Sequence, residues 1–189
     1  GVSLAKLHNI QGDFSGLREC ESLSYPEAVI DQYTDNLECP LDFKIAYENL
    51  LGERAKKYLE QDFEKGLTHG DLYYDNTLFD QNHLSAVLDF EQSGIGNYIL
   101  DLGISISGCC LEKGRISSPL VDSYLKGYES QRTLPTKEKD FLNEAIIFGL
   151  LSISLWRIKR FTVGHLNPLM TDSYKELLYR AEIFKHMVN

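Results

Sequence analysis

Hydrophobic and polar positions follow two different periods along this chain, and the changes of period mark out its elements. In residues 41–63 the apolar residues Phe43, Ala46, Leu50, Leu51, Ala55, Tyr58, Leu59 and Phe63 recur at steps of three and four, which lines one face of an α-helix. The spacing predicts one amphipathic helix over that span. Residues 77–79 and 84–90 are short apolar runs of β type, separated by Asp80, Gln81, Asn82 and His83, and predict a hairpin. After Gly94 and Gly96 the helical period returns over 98–110, 119–131, 136–162 and 171–188. Pro135 and Pro168 stand ahead of two of these starts, where a residue that cannot continue a preceding helix is expected. Residues 1–9, with Leu4, Leu7 and His8 on one face, read as the end of a helix that begins ahead of Gly1. Residues 11–40 hold no sustained period and read as loop or short helical turns.

The pattern describes a mainly α chain with a small β-hairpin. With 189 residues and 43 % hydrophobic composition, it is long enough to bury one large core, and a single domain over 1–189 is expected. The longest apolar run, 145–156, falls short of the ~20 residues that cross a bilayer, so neither a membrane partner nor a secretion signal is expected. The four cysteines, Cys20, Cys39, Cys109 and Cys110, lack zinc spacing and any secreted disulfide framework, which suits a cytoplasmic setting. A net charge of −9 argues against nucleic acid as a partner, since phosphate binding requires clustered Lys and Arg.

The distribution of the acids says more than their sum. Residues 66–112 contain no Lys or Arg, yet Asp71, Asp75, Asp80, Asp89, Glu91, Asp101 and Glu112 all fall there. Carboxylates that converge must have their repulsion relieved by raised pKa values, by solvent or by a bound cation. Within this stretch His69, Gly70 and Asp71 are followed by Asn76 and then by Asp89. An Asp and an Asn at this spacing, with a later Asp at a strand end, can supply a base for a hydroxyl and two hard oxygen ligands for Mg²⁺. On this reading Asp71 is the catalytic base, and Asn76 and Asp89 bind Mg²⁺ between the acceptor and the phosphates of ATP. The bland alternative is an ordinary turn in which Asp71 caps backbone amides. His69 reads as a scaffold for the loop backbone, although an imidazole could also act as a base. Asp101 reads as a group that receives the loop's backbone amides, with a third metal ligand as the alternative. Tyr73 and Glu91 are candidate substrate contacts; Tyr74 and Asp75 share the loop with Tyr73, and an exposed Asp ahead of Asn is equally readable as solvated.

The runs HGDLYYDNTLF (69–79), LSAVLDF (84–90) and DLG (101–103) resemble the aminoglycoside phosphotransferase and choline kinase superfamily, and most of all its bacterial homoserine kinase branch. The resemblance implies the helical C-terminal lobe of a protein-kinase-like fold. It also implies ATP- and Mg²⁺-dependent phosphoryl transfer to a small-molecule hydroxyl, with homoserine as the leading acceptor. Choline, an aminoglycoside or another amino alcohol or sugar is the alternative, as is an inactive truncated binding module. Such enzymes carry a preceding β lobe with a phosphate-covering loop and a lysine. No such lobe stands in this sequence, so a fragment of a longer protein is expected. Glu91 occupies the place where protein kinases have glycine, which puts their activation-loop switch in doubt.

Overall fold

The computed structural model describes residues 1–17 and 25–188; Cys20 lies outside the described residues. The chain opens with α1 (Val2–His8) and α2 (Glu27–Tyr33), the latter inside the stretch whose sequence shows no period. The single helix expected over 41–63 is two, α3 (Leu41–Leu50) and α4 (Glu53–Leu59). They part at Gly52, whose φ of +49° lies where side-chain-bearing residues are strained. Both helices turn their apolar face to the same core, so the period runs unbroken across the joint and hides it.

Next come β1 (Lys65–Thr68), β2 (Thr77–Asp80), β3 (His83–Val87) and β4 (Gly94–Asn97). β2 and β3 form the expected hairpin, although the second strand ends at Val87 and not at Phe90. β1 and β4 also pair antiparallel, with Lys65 opposite Asn97 and Thr68 opposite Gly94. This pairing has no local mark in the sequence, because its partners lie 32 positions apart at the widest, Lys65 with Asn97, and 26 at the narrowest, Thr68 with Gly94. Its effect is to clamp both ends of the 69–93 segment, from which the candidate site residues project.

The helical remainder is α5 (Tyr98–Cys109), a two-residue ribbon of β5 (Leu111–Glu112) and β6 (Arg115–Ile116), α6 (Ser118–Glu129), α7 (Thr136–Asp140), α8 (Leu142–Arg157) and α9 (Tyr174–Val188). The helix expected over 136–162 is interrupted at Phe141, where ψ turns to 10°, and beyond Arg157 it widens into a π-helical turn, Ile158–Val163. The core is built on α5, which is buried from Tyr98 to Gly108 and crosses α8 at close range. A Cβ on Gly103 would sit 2.3 Å from the Ala145 carbonyl oxygen, and one on Gly149 2.8 Å from the Ile104 nitrogen. Ile99, Leu102, Ile106, Phe148, Leu150 and Leu155 fill the contact with no exposure, each contributing about 1.5–3 kcal/mol by leaving water. That packing makes α5 a rigid floor under the acidic loop. Among the described residues no helix is long and apolar enough to cross a membrane.

Candidate active site

Asp101, one turn into α5, is 2 % exposed and grips the loop above it. Its two oxygens accept the backbone N–H groups of His69 (2.8 Å, Oδ2) and Gly70 (2.8 Å, Oδ1). Two successive amides can face one carboxylate because Gly70 takes a φ of +82°. Burial alone would raise the Asp101 carboxyl. The hydrogen bonds from His8 and from the two amides outweigh it and hold the group below the usual carboxylate range.

His8 is a participant the sequence did not single out as functional. Its Nε2 donates to Asp101 Oδ2 (3.0 Å) and its Nδ1 accepts the Tyr128 hydroxyl (2.6 Å), an assignment that follows because Arg132 Nη1 donates to the same Tyr128 oxygen (3.1 Å). A buried relay therefore runs from Arg132 through Tyr128 and His8 to Asp101 and the loop. The one available clue was a polar side chain on the Leu4 and Leu7 face of α1.

His69 is wholly buried and both its ring nitrogens are committed to backbone. Nδ1 accepts the Asp71 N–H (3.2 Å), so the proton sits on Nε2, which donates to the Leu88 carbonyl (2.9 Å). That bond ties the loop to the end of β3. A second tie is the Leu88 N–H on the Asn76 carbonyl (2.9 Å). Asn76 closes the arrangement from its side chain, with Nδ2 donating to the Asp71 carbonyl (2.7 Å) and to Asp71 Oδ2 (3.3 Å). Asp71 and Asn76 thus touch, and Asp89 follows directly on the doubly tied Leu88.

Asp89 adopts a left-handed conformation, φ 62° and ψ 59°, which Asp tolerates better than most residues. It turns the chain from β3 into a short 3-10 helix, Phe90–Gln92, and leaves Asp89 and Glu91 exposed. Half-buried Asp71 has its carboxyl pushed up to about 7, first by burial, then by the charge of Asp75, partly offset by the Asn76 hydrogen bond, and further by Asp89 and Glu91. Tyr73 is turned inward. A Cβ on Gly108 would overlap its ring, and its hydroxyl donates to Ser107 Oγ (3.2 Å), which itself donates to the Ile104 carbonyl. Glu91 accepts from Gln92 Nε2 (3.0 Å).

The donor set can be weighed against a divalent cation. Among the described residues no three His, Cys, Asp or Glu side chains group as a metal site. Mg²⁺ does not require one, since it is usually held through one or two carboxylates with waters and substrate phosphates completing the octahedron. The Asn76 amide spends its nitrogen on Asp71, which leaves Oδ1 as a hard donor. Asp89 adds a carboxylate, in a stretch, 66–112, that contains no Lys or Arg of its own. These residues fit Mg²⁺.

A family model described as the phosphotransferase enzyme family, APH, matches residues 1–139. The chain belongs to this phosphotransferase family. Its curated relatives include the homoserine kinase of Beijerinckia indica, 30 % identical over 168 residues that make up 84 % of this chain and 50 % of the relative. Another is the homoserine kinase of Polaromonas naphthalenivorans, 28 % identical over 101 residues, 52 % of this chain and 31 % of the relative. The solved structure of the gentamicin–APH(2″)-IIa complex superposes with a TM-score of 0.60 at 18 % identity, over 96 % of this chain and 60 % of that one. The fold is therefore that of a kinase-like phosphotransferase, here a helical lobe with small strand pairs. The chain spans about a third to a half of the length of the curated relatives it matches.

Proposed function

We propose that the full-length protein transfers the γ-phosphoryl group of ATP to the hydroxyl of a small molecule, with homoserine as the acceptor, and that residues 1–189 form its C-terminal catalytic lobe. The observation that carries this reading is the Asp71–Asn76–Leu88 junction, in which one amide side chain orients the Asp71 carboxylate while its backbone fastens the turn that presents Asp89. Phosphoryl transfer asks a protein mainly for positioning and charge neutralisation. Asp71 orients the acceptor hydroxyl and takes its proton as the oxygen becomes a nucleophile. A carboxyl pushed up to about 7 is well matched to that task near neutral pH. Asn76 and Asp89 would hold Mg²⁺, whose charge would neutralise the phosphates of ATP. His69 and Asp101 keep the loop in shape, with Asp101 steadied by His8.

The homoserine kinase relatives favour homoserine as the acceptor. The acidic mouth formed by Asp75, Asp89 and Glu91 would by itself also suit a cationic acceptor such as choline or an aminoglycoside. In the full-length protein, Asp71→Asn is expected to lower kcat for homoserine phosphorylation by roughly 10²–10⁴-fold, with ATP binding retained. Turnover by that variant at the wild-type rate would sink the assignment.

A further inference from the structure

Arg157 closes α8 and Arg180 stands in the middle of α9, and the two guanidinium groups share one counter-ion. Glu176 Oε1 accepts Arg180 Nη2 (2.9 Å) and its Oε2 lies 3.7 Å from Arg157 Nη1. The other bonds of the pair go to neutral carbonyls, Arg157 Nη1 to Ser173 (2.7 Å) and Arg180 Nε to Gly114 (3.0 Å). Among the described residues no further acid pairs with either. The guanidinium side chains are sheltered, 23 % and 10 % exposed, whereas Glu176 is 65 % exposed. A net positive charge is thus held out of water in a chain that carries −9 overall.

The cluster has an unused donor beside it. Ser173 Oγ is buried without a hydrogen-bond partner, on the residue whose carbonyl receives Arg157. The backbone is irregular at the same place, since the π-helical turn Ile158–Val163 starts directly after Arg157, and such turns are frequent at functional sites. The cluster also reaches the catalytic loop. Arg180 is bonded to the β5–β6 turn that follows α5, and the end of α5 carries Tyr73 on Ser107 and Gly108. Burial pushes the Tyr73 phenol up to about 12, opposed by the Ser107 hydrogen bond; the charge of Asp71 raises it further, and those of Arg180 and Arg157 lower it. Both arginines lie beyond residues 1–139, the part matched by the family model.

We infer that Arg157 and Arg180, with Ser173 Oγ, form the subsite for a carboxylate on the phosphoryl acceptor, so that the enzyme selects hydroxy-amino acids over amino alcohols. This rests on the phosphotransfer reading above and narrows its substrate class. A carboxylate entering between the guanidinium groups takes over the role Glu176 plays from the solvent side, with charge-assisted hydrogen bonds. The acidic mouth then meets the ammonium end of the same molecule.

The test compares L-homoserine with 3-aminopropan-1-ol, which keeps the hydroxyl and ammonium but lacks the carboxylate, in kinetics and in calorimetric binding to the full-length protein. Wild type is expected to favour L-homoserine by roughly 10–100-fold in KM, the range of a charge-assisted contact. Arg157→Gln is expected to close that gap. Glu176→Gln, a change at an exposed position, is expected to widen it by removing the competing carboxylate, and so keeps the test alive if Arg157→Gln fails to fold. Equal use of both acceptors by wild type, or a gap untouched by Arg157→Gln and by Glu176→Gln, overturns the subsite while leaving the kinase reading in place. Calorimetric preference for L-homoserine without any phosphoryl transfer upholds the subsite and sinks the kinase reading.

Discussion

Asp71 carries a cost that follows from its own neighbours. Its unfolded carboxyl ionises near ~4, whereas in the folded chain burial and then Asp75, Asp89 and Glu91 push it up to about 7. Below pH ~4 both states hold the proton and nothing is gained or lost. Between ~4 and about 7 the folded state keeps a proton that the unfolded chain has released, so stability falls as pH rises and the loss is complete above that window. Asp71→Asn removes the charge and keeps an oxygen that can accept from Asn76 Nδ2. The variant is expected to melt at the same temperature as wild type near pH 4 and at a higher one at pH 8, by roughly 2–4 °C for each kcal/mol regained. Thermal unfolding at the two pH values, without divalent cations, checks this. An identical pH profile in both proteins would show that the carboxylates do not press on Asp71. A residue that stabilises the fold when neutralised, yet is retained as Asp, is what a base held for chemistry predicts.

At the scale of elements, the catalytic loop is held from below by α5, and α5 in turn by α1 and α8. Asp101→Asn would place an amide nitrogen against one of the His69 and Gly70 amides or His8, leaving a buried donor opposed. Disruption of such a buried network typically costs about 3–5 kcal/mol, measurable by urea unfolding. His8→Gln can still donate to Asp101 and accept from Tyr128, so it should recover part of what His8→Ala loses. Gly103→Ala tests the floor itself. With a methyl group 2.3 Å from the Ala145 carbonyl oxygen, α5 and α8 must separate at an expected cost of about 1–3 kcal/mol, and full stability in this variant would show that the helices do not need their close approach. These elements also mark what could be read from the sequence. The hairpin and α5, α6 and α9 follow from local period, and the 71, 76 and 89 spacing is visible because one loop and one strand end supply all three. The break at Gly52 escaped because the apolar period runs through it. The β1–β4 pair and the His8–Asp101 contact escaped for a different reason. Both join residues far apart in sequence, His8 and Asp101 by 93 positions, and no local signal announces such a partner.

Across the whole molecule, the charge is sorted rather than merely negative. The arginines lie outside 66–112, with Arg132 in the relay behind Asp101 and Arg157 and Arg180 on α8 and α9, while the stretch that presents Asp71 and Asp89 has no Lys or Arg. A stretch with that many carboxylates and no Lys or Arg of its own leaves part of their repulsion to be answered from solution. Monovalent salt answers it by screening, which acts on all exposed charges alike and is largely complete at moderate ionic strength. A divalent cation answers it by binding, with a stabilisation that grows as RT ln(1 + [L]/Kd). The two can be separated on one protein. At pH 8, Mg²⁺ is expected to raise the melting temperature above that in NaCl of equal ionic strength, with the excess growing logarithmically with Mg²⁺ concentration. Asp89→Asn removes a donor without touching the Asp71–Asn76 hydrogen bond and is expected to abolish the excess; Asp80→Asn, on the exposed hairpin end, is expected to keep it. Equal effects of Mg²⁺ and NaCl on the wild type would mean that the carboxylates are merely screened and that Asp89 holds no ion before the nucleotide arrives.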